Sequence, residues 1–142
     1  LRDVSLDTLN RAAARLSPVQ LRRARHVVTE NKRVQAAVQA LDQADSDGLG
    51  CLLFDSHDSL RDDYEVSCGA IEELMNIVRP SSGGIGARMT GGGFGGCILV
   101  LVRSEMVNPM LAKVQREYDP RHESPSRAFV VQPSDGARCL RL

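Results

Sequence analysis

The sequence predicts an α+β domain: one antiparallel sheet with helices packed on one side, lacking one strand at its front. Three observations predict it. Apolar residues recur at helical spacing through roughly the first eighty positions. The period then changes to a continuous aliphatic run, Cys97-Ile98-Leu99-Val100-Leu101-Val102, which follows a cluster of glycines. After one more helical stripe comes a second short run, Ala128-Phe129-Val130-Val131. Two adjacent strands, a crossover helix and a further strand form most of a split βαβ, ferredoxin-like pattern.

Each element has its own signal. Leu6, Leu9, Ala13 and Leu16 give a first helix, with Ser5 as its cap. Ser17-Pro18-Val19-Gln20 opens a second, with Ser at the cap, Pro at the first helical position and Gln at the third. One face of that helix carries Ala24, Val27, Val28, Asn31, Val34, Val38 and Leu41. Arg22, Arg23, Arg25 and Arg33 read as a solvated face, with His26 and Glu30 as an i,i+4 pair. Asp45-Ser46-Asp47-Gly48 breaks the helix. Leu49, Leu52, Leu53 and Leu60 form a third stripe, and His57 on that face reads as a hydrogen-bonded core histidine. Ile71, Leu74, Met75 and Val78 form a fourth, capped at Ser67 and stopped at Pro80. Ser81 to Gly86 reads as a loop and Ala87 to Thr90 as a short segment leading into glycines. Cys97 to Val102 reads as a central strand covered on both faces. Val107, Met110, Leu111, Val114 and Tyr118 give the fifth helix, starting at Asn108-Pro109. Glu117 to Arg127, with Pro120 and Pro125, is a loop. Ala128 to Val131 is a strand, and beyond the Asp135-Gly136 turn the tail Ala137 to Leu142 pairs back as a short hairpin.

The chain has 142 residues, read as one domain over 1–142. With 42% hydrophobic and 25% charged residues, it can build a core without staples. Eighteen basic residues balance eighteen acidic ones, which argues against a nucleic-acid partner. No apolar run approaches a membrane span, and with no basic start leading into an apolar block no secretory signal is expected. Cys51, Cys68, Cys97 and Cys139 form no Cys-x-x-Cys pair, and His26, His57 and His122 complete no zinc spacing. The thiols read as buried or half-buried in a reducing cytoplasm. An opening Leu rather than Met predicts a piece of a longer chain.

Chemistry is expected where Gly83, Gly84, Gly86, Gly91, Gly92, Gly93, Gly95 and Gly96 crowd together. Glycine admits positive φ and lets amides approach a ligand, and successive inward N–H groups form an anion nest suited to phosphate. Gly91-x-Gly93-x-x-Gly96 matches the dinucleotide fingerprint by letter, but a strand follows it instead of a helix. No Gly-Lys-Ser or Gly-Lys-Thr is present. From spacing alone, the stretch is either a wide hairpin turn or a backbone surface laid against a phosphate or another phosphate loop. Asp62-Asp63 reads as helix-end carboxylates or as magnesium ligands, and Arg88 as a phosphate partner or half of a salt bridge.

Gly86 to Cys97, GARMTGGGFGGC, resembles the third signature motif of the GHMP kinase superfamily, in the wording of its galactokinase family. Arg22 to Val34, RRARHVVTENKRV, resembles that family's long helix, and Ser56 to Cys68, SHDSLRDDYEVSC, the segment before its next helix. Gly69-Ala70 departs from the Pro-Glu common there. The resemblance implies the ferredoxin-like C-terminal domain of a sugar kinase that moves the γ-phosphate of ATP, with magnesium, onto the anomeric hydroxyl of galactose. It implies that Gly91, Gly92, Gly93, Phe94, Gly95 and Gly96 help shape the nucleotide side of the cleft. Catalytic residues, metal ligands and the sugar pocket would belong to the N-terminal half of the same kinase, so that this chain by itself lacks catalysis. Two other readings fit the same residues: a non-catalytic relative that senses sugar and nucleotide, and a free-standing ferredoxin-like module that self-associates.

Overall fold

A computed structural model describes residues 1–79, 81, 83–134, 136 and 139. Helix α1 spans Leu6–Ala12 and tightens into a 3₁₀ turn at Ala13–Arg15. As expected, the Ser5 hydroxyl accepts from Thr8 N–H at 3.1 Å. Helix α2 runs from Pro18 to Asp42 and opens on the predicted capping box: Gln20 N–H donates to Ser17 Oγ at 3.3 Å, and Ser17 N–H donates to Gln20 Oε1 at 2.9 Å.

The break expected at Asp45-Ser46-Asp47-Gly48 is instead a start. The chain reverses at Gln43–Asp45, with Ala44 at φ 53°, and α3 covers Ser46–Ser59. Asp45 Oδ1 accepts from Gly48 N–H at 2.9 Å, so the same Asp and Gly that signal a turn here cap a helix. The buried face of α2 also differs from the valine stripe. His26 and Ala40 are buried while Val34, Val38 and Leu41 are 57%, 53% and 64% exposed. The small Ala40 is buried, and Ala37, with the edge of Val34, joins Leu49, Leu52 and Leu53 around a cavity of about 60 Å³. Val28 is covered from another side, beside Val4 of the N-terminal segment.

After α3 comes a π-helical turn, Leu60–Tyr64, and then α4, Gly69–Val78. Cys68 holds the cap position without a side-chain bond, and the Ser67 hydroxyl expected there donates to Glu72 Oε1 at 2.5 Å. Pro80, the expected stop, lies outside the described residues. Strand β1, Gly84–Thr90, begins inside the stretch read as a loop, and β2 is Cys97–Val102. They pair antiparallel, with Thr90 opposite Cys97, Met89 opposite Ile98 and a bulge between Gly84 and Gly86. Helix α5, Val107–Glu117, follows a 3₁₀ turn at Ser104–Met106.

The core is Ile71, Met75 and Val78 of α4, Ala87 and Met89 of β1, and Met110 of α5, with Ile98, Val100 and Val102 packed against it. At full burial such side chains contribute about 1.5–3 kcal/mol each. Strand β2 is covered on one face rather than two: Leu99 is 48% exposed and Cys97 is exposed. Helix α3 lies along the outer edge of β1, with Gly50 beside the Ile85 carbonyl and His57 accepting from the Met89 amide. Covering an edge strand with a helix removes its unpaired backbone groups from solvent.

The strand expected at Ala128–Val131 is absent from the ladder. The segment carries no regular structure, and Phe129, Val130 and Val131 are 81%, 65% and 71% exposed. Strand propensity needs a partner to act on, the run pairs with neither β1 nor β2, and Pro125 and Pro133 flank it. The hairpin expected of Ala137–Leu142 lies outside the described residues apart from Cys139. Of the four thiols, only Cys68 is half-buried; Cys51, Cys97 and Cys139 are exposed, and all are free. Among the described residues no helix is long and apolar enough to cross a membrane.

Candidate functional site at the glycine loop

The crowded glycines divide into two groups. Gly83, Gly84 and Gly86 serve packing: a Cβ on Gly86 would stand 2.4 Å from Gly50 Cα, one on Gly83 would stand 2.3 Å from Met106 Cγ, and one on Gly84 would meet Met110 and Val78. Gly91 to Gly96 form the loop between the strands. There φ is 92° at Gly91, 89° at Gly93, 60° at Phe94, 138° at Gly95 and 98° at Gly96. A Cβ on Gly91, Gly92 or Gly95 would meet nothing within 4 Å. The ring of Phe94 is 76% exposed. All six predicted site residues are therefore brought together, on one open ribbon. Phe94 N–H donates to Val66 O at 2.7 Å, and among the described residues the other loop amides donate to no protein group. That leaves a run of free donors without side chains in front of them, which can meet an anion.

The base of the ribbon is held firmly. His57, with no exposure, accepts from Met89 N–H on Nδ1 at 3.3 Å and donates from Nε2 to Glu72 Oε1 at 3.0 Å. Burial pushes its pKa down against the pull of Glu72, so the ring is a neutral structural link, as a core histidine was expected to be. Arg88 resolves to the salt-bridge reading: Nη1 donates to Glu30 Oε1 at 2.9 Å and Nε to Met89 O at 3.1 Å. Glu30 also accepts from Ser56 at 2.6 Å and Arg33 at 2.7 Å. Burial would raise the Glu30 carboxyl, but these bonds and the two arginine charges outweigh it and hold it below the usual range.

The tip of the ribbon rests on the π-helical turn. Val66 N–H closes that turn on Leu60 O at 3.1 Å, and Glu65 sits at φ 57°. The arginine cluster of α2 is not a solvated face. Arg22 and Arg23 meet Glu65 at 2.7 Å and 2.5 Å, Arg23 also donates to Asp63 O at 2.5 Å, and Arg25 pairs with Asp63 at 3.5 Å. Nor does His26 bond Glu30: its Nδ1 lies 3.0 Å from Ser59 Oγ, and its ring stacks on Tyr64 at 4.6 Å. Asp62 is held by Arg61 through two contacts of 2.7 Å. The acidic pair is thus committed to arginines at a helix end, and among the described residues no group of three or more His, Cys, Asp or Glu is placed to hold a metal. His122, which carries no sequence signal, stacks on Tyr118 at 3.9 Å and meets Glu73 at 2.9 Å.

Sequence reasoning missed Gly50, Glu65 and Val66. A glycine inside a helix is a usable sign of close packing, and it marks Gly50. Nothing local marks Glu65 or Val66, whose importance comes from contacts with residues about forty and almost thirty positions away.

An antiparallel pair backed by helices and tipped by an open glycine ribbon defines an α+β domain with one exposed backbone surface. The sequence matches the family of GHMP kinases C terminal domains over residues 37–119, a span that includes the loop and the turn beneath it, and the chain belongs to that family. It is galactokinase-like within it: the fold is similar to the crystal structure of Lactococcus lactis galactokinase complexed with galactose, with a TM-score of 0.81 and 34% identity. The likeness covers 87% of this chain and 32% of that one, so the chain spans about a third of the relative's length.

Proposed function

We propose that residues 1–142 form the C-terminal domain of a cytoplasmic galactokinase-like sugar kinase, which transfers the γ-phosphate of ATP to the anomeric hydroxyl of galactose. Gly91, Gly92, Gly93, Phe94, Gly95 and Gly96 form part of the nucleotide side of its cleft. The observation that carries this reading is the open ribbon: free amides, positive φ and no side chain at Gly91, Gly92 and Gly95. Phosphoryl transfer is mostly positioning and charge stabilisation, and a bare backbone supplies donors and close approach. These residues fit a phosphate of ATP or a neighbouring phosphate loop.

The base, the sugar pocket and the magnesium carboxylates fall to the N-terminal half of the kinase. Asp62 and Asp63 are tied to arginines and do not fit magnesium. Magnesium bound by the N-terminal half would supply charge neutralisation at the transferring phosphates.

Coexpression with the N-terminal part of a galactokinase tests the reading. The complex is expected to make galactose phosphate from galactose, ATP and magnesium, and this chain alone is expected not to. Ordinary enzymic turnover by the chain alone overturns the division of labour. A soluble complex with no turnover favours the sensor reading instead. Gly92→Val sharpens the test, because Gly92 has neither a positive φ nor any neighbour within 4 Å of a Cβ. It should leave the melting temperature in place while activity falls by about tenfold or more, since a branched side chain blocks close approach. Full activity in Gly92→Val removes the ribbon from the cleft.

A further inference from the structure

We infer that Glu65 is a positioning residue for the glycine loop, an inference that rests on the loop facing nucleotide phosphates. The tip of the loop touches the body of the domain at Val66. Phe94 N–H donates to the Val66 carbonyl at 2.7 Å, and the space beside Gly93 is filled by the Val66 side chain, which leaves 2.7 Å for a Cβ. The direction of that carbonyl depends on the residue before it. Glu65 adopts φ 57°, ψ 45°, the left-handed region that a residue of its kind seldom enters.

Two arginines of α2 hold it there. Its carboxylate spans Arg22 at 2.7 Å and Arg23 at 2.5 Å, while Arg23 reaches across to Asp63 O at 2.5 Å. One guanidinium thus grips the chain on both sides of the reversal. The Glu65 and Arg22 side chains are 45% and 34% exposed, and ion pairs this accessible add little to global stability. What the pair fixes is a direction: α2 sets Glu65, Glu65 sets the Val66 carbonyl, and that carbonyl sets the height of Phe94 and the glycines around it. Glu65 acts on the loop through Val66.

Amide hydrogen exchange on this chain tests the inference, with Glu65→Asn as the main variant. Asn tolerates the left-handed region but is too short to span both arginines. The Phe94 amide should exchange about five- to tenfold faster, as expected for loss of one hydrogen bond's worth of protection. The Met89 amide, held by His57 at the other end of the ribbon, should stay within about twofold. Glu65→Gln, which keeps the length, should fall between. If Glu65→Asn does not fold, the double change Arg22→Gln, Arg23→Gln opens the same grip from α2 and is read in the same way. An unchanged Phe94 amide in a folded variant overturns the inference, and so does equal acceleration at Met89.

A second arm uses the complex with the N-terminal part of a galactokinase. There KM for ATP should rise about fivefold with KM for galactose unmoved. Faster Phe94 exchange with an unmoved KM for ATP supports the hold of Glu65 on the loop and sinks the placement of that loop at the phosphates.

Discussion

Replacing Gly50 with Ala tests how α3 meets β1. A Cβ there would stand 2.0 Å from Ile85 O and 2.6 Å from Ile85 C. Both atoms are backbone, so no rotamer change relieves the clash. Ordinary contact begins at 3.4 Å, which leaves a shortfall of about 1.4 Å that α3 must cover by moving away. The His57 to Met89 bond, already 3.3 Å long, does not survive that shift. Overpacking costs about 1–3 kcal/mol, and a lost buried hydrogen bond adds about 1 kcal/mol. Helix propensity works the other way, favouring Ala over Gly by up to about 1 kcal/mol. The clash wins, with a net loss of about 1–3 kcal/mol once the full propensity gain is subtracted. Gly69→Ala is the matched control, since Gly69 opens α4 with nothing within 4 Å of a Cβ. It should gain about 0.5 kcal/mol. Urea midpoints at constant slope read both changes. A Gly50→Ala domain as stable as the parent would refute the backbone contact between α3 and β1.

Gly93→Ala should cost about 1–3 kcal/mol, because it combines φ 89° with a Cβ 2.7 Å from Val66, whereas Gly91→Ala bears backbone strain alone; equal urea midpoints for the two variants would contradict the Val66 contact. Stability should also fall on mild acidification. Burial lowers the pKa of both His26 and His57, so the unfolded chain binds protons first as pH drops below about 6.5. The histidine contribution is complete above that value and is lost as pH falls toward the folded-state values. The Glu65 carboxyl, lowered by its bond from Arg23, loses its share only at lower pH. A urea midpoint that stays flat or rises between about pH 7.5 and about pH 5.5 would show that neither ring is held neutral.

Legibility followed the range of the interaction that decides each feature. The capping box at Ser17 and the cap at Ser5 were readable because both partners lie within one turn of helix. The pairing of β1 with β2 was readable because the run from Cys97 to Val102 has no other use. Asp45-Ser46-Asp47-Gly48 was ambiguous because an Asp before a Gly can end one helix or cap the next, and only the path of the chain decides. The arginines on α2 looked solvated because their partners, Asp63 and Glu65, are about forty residues away. Ala128 to Val131 had the composition of a strand, but composition does not supply a pairing partner, and the run stays exposed and unpaired. At the candidate site, residue identity was legible and division of labour was not: nothing local separates Gly86, which packs on Gly50, from Gly92, which meets nothing.

That division has a mechanical consequence. Near Thr90 the hairpin is tied to three helices at once, through His57 of α3, Glu72 of α4 behind it, and Glu30 of α2 gripping Arg88. Near Phe94 the described tie to the body is one backbone bond, to Val66. A ribbon clamped at its root and touched once near its tip is free to tilt but not to slide. Its direction is preorganised while its last ångström is left to whatever it faces. For a loop that has to meet phosphate with backbone amides, this keeps most of the ordering cost in the fold and lets the ligand set the final contact. Exchange protection should therefore fall from Met89 to Phe94 and again to Gly95 in the free chain, and binding of a phosphate-bearing ligand in the assembled enzyme should raise the Gly95 end alone. A loop already fully protected in the free chain would mean that its glycines serve only the hairpin.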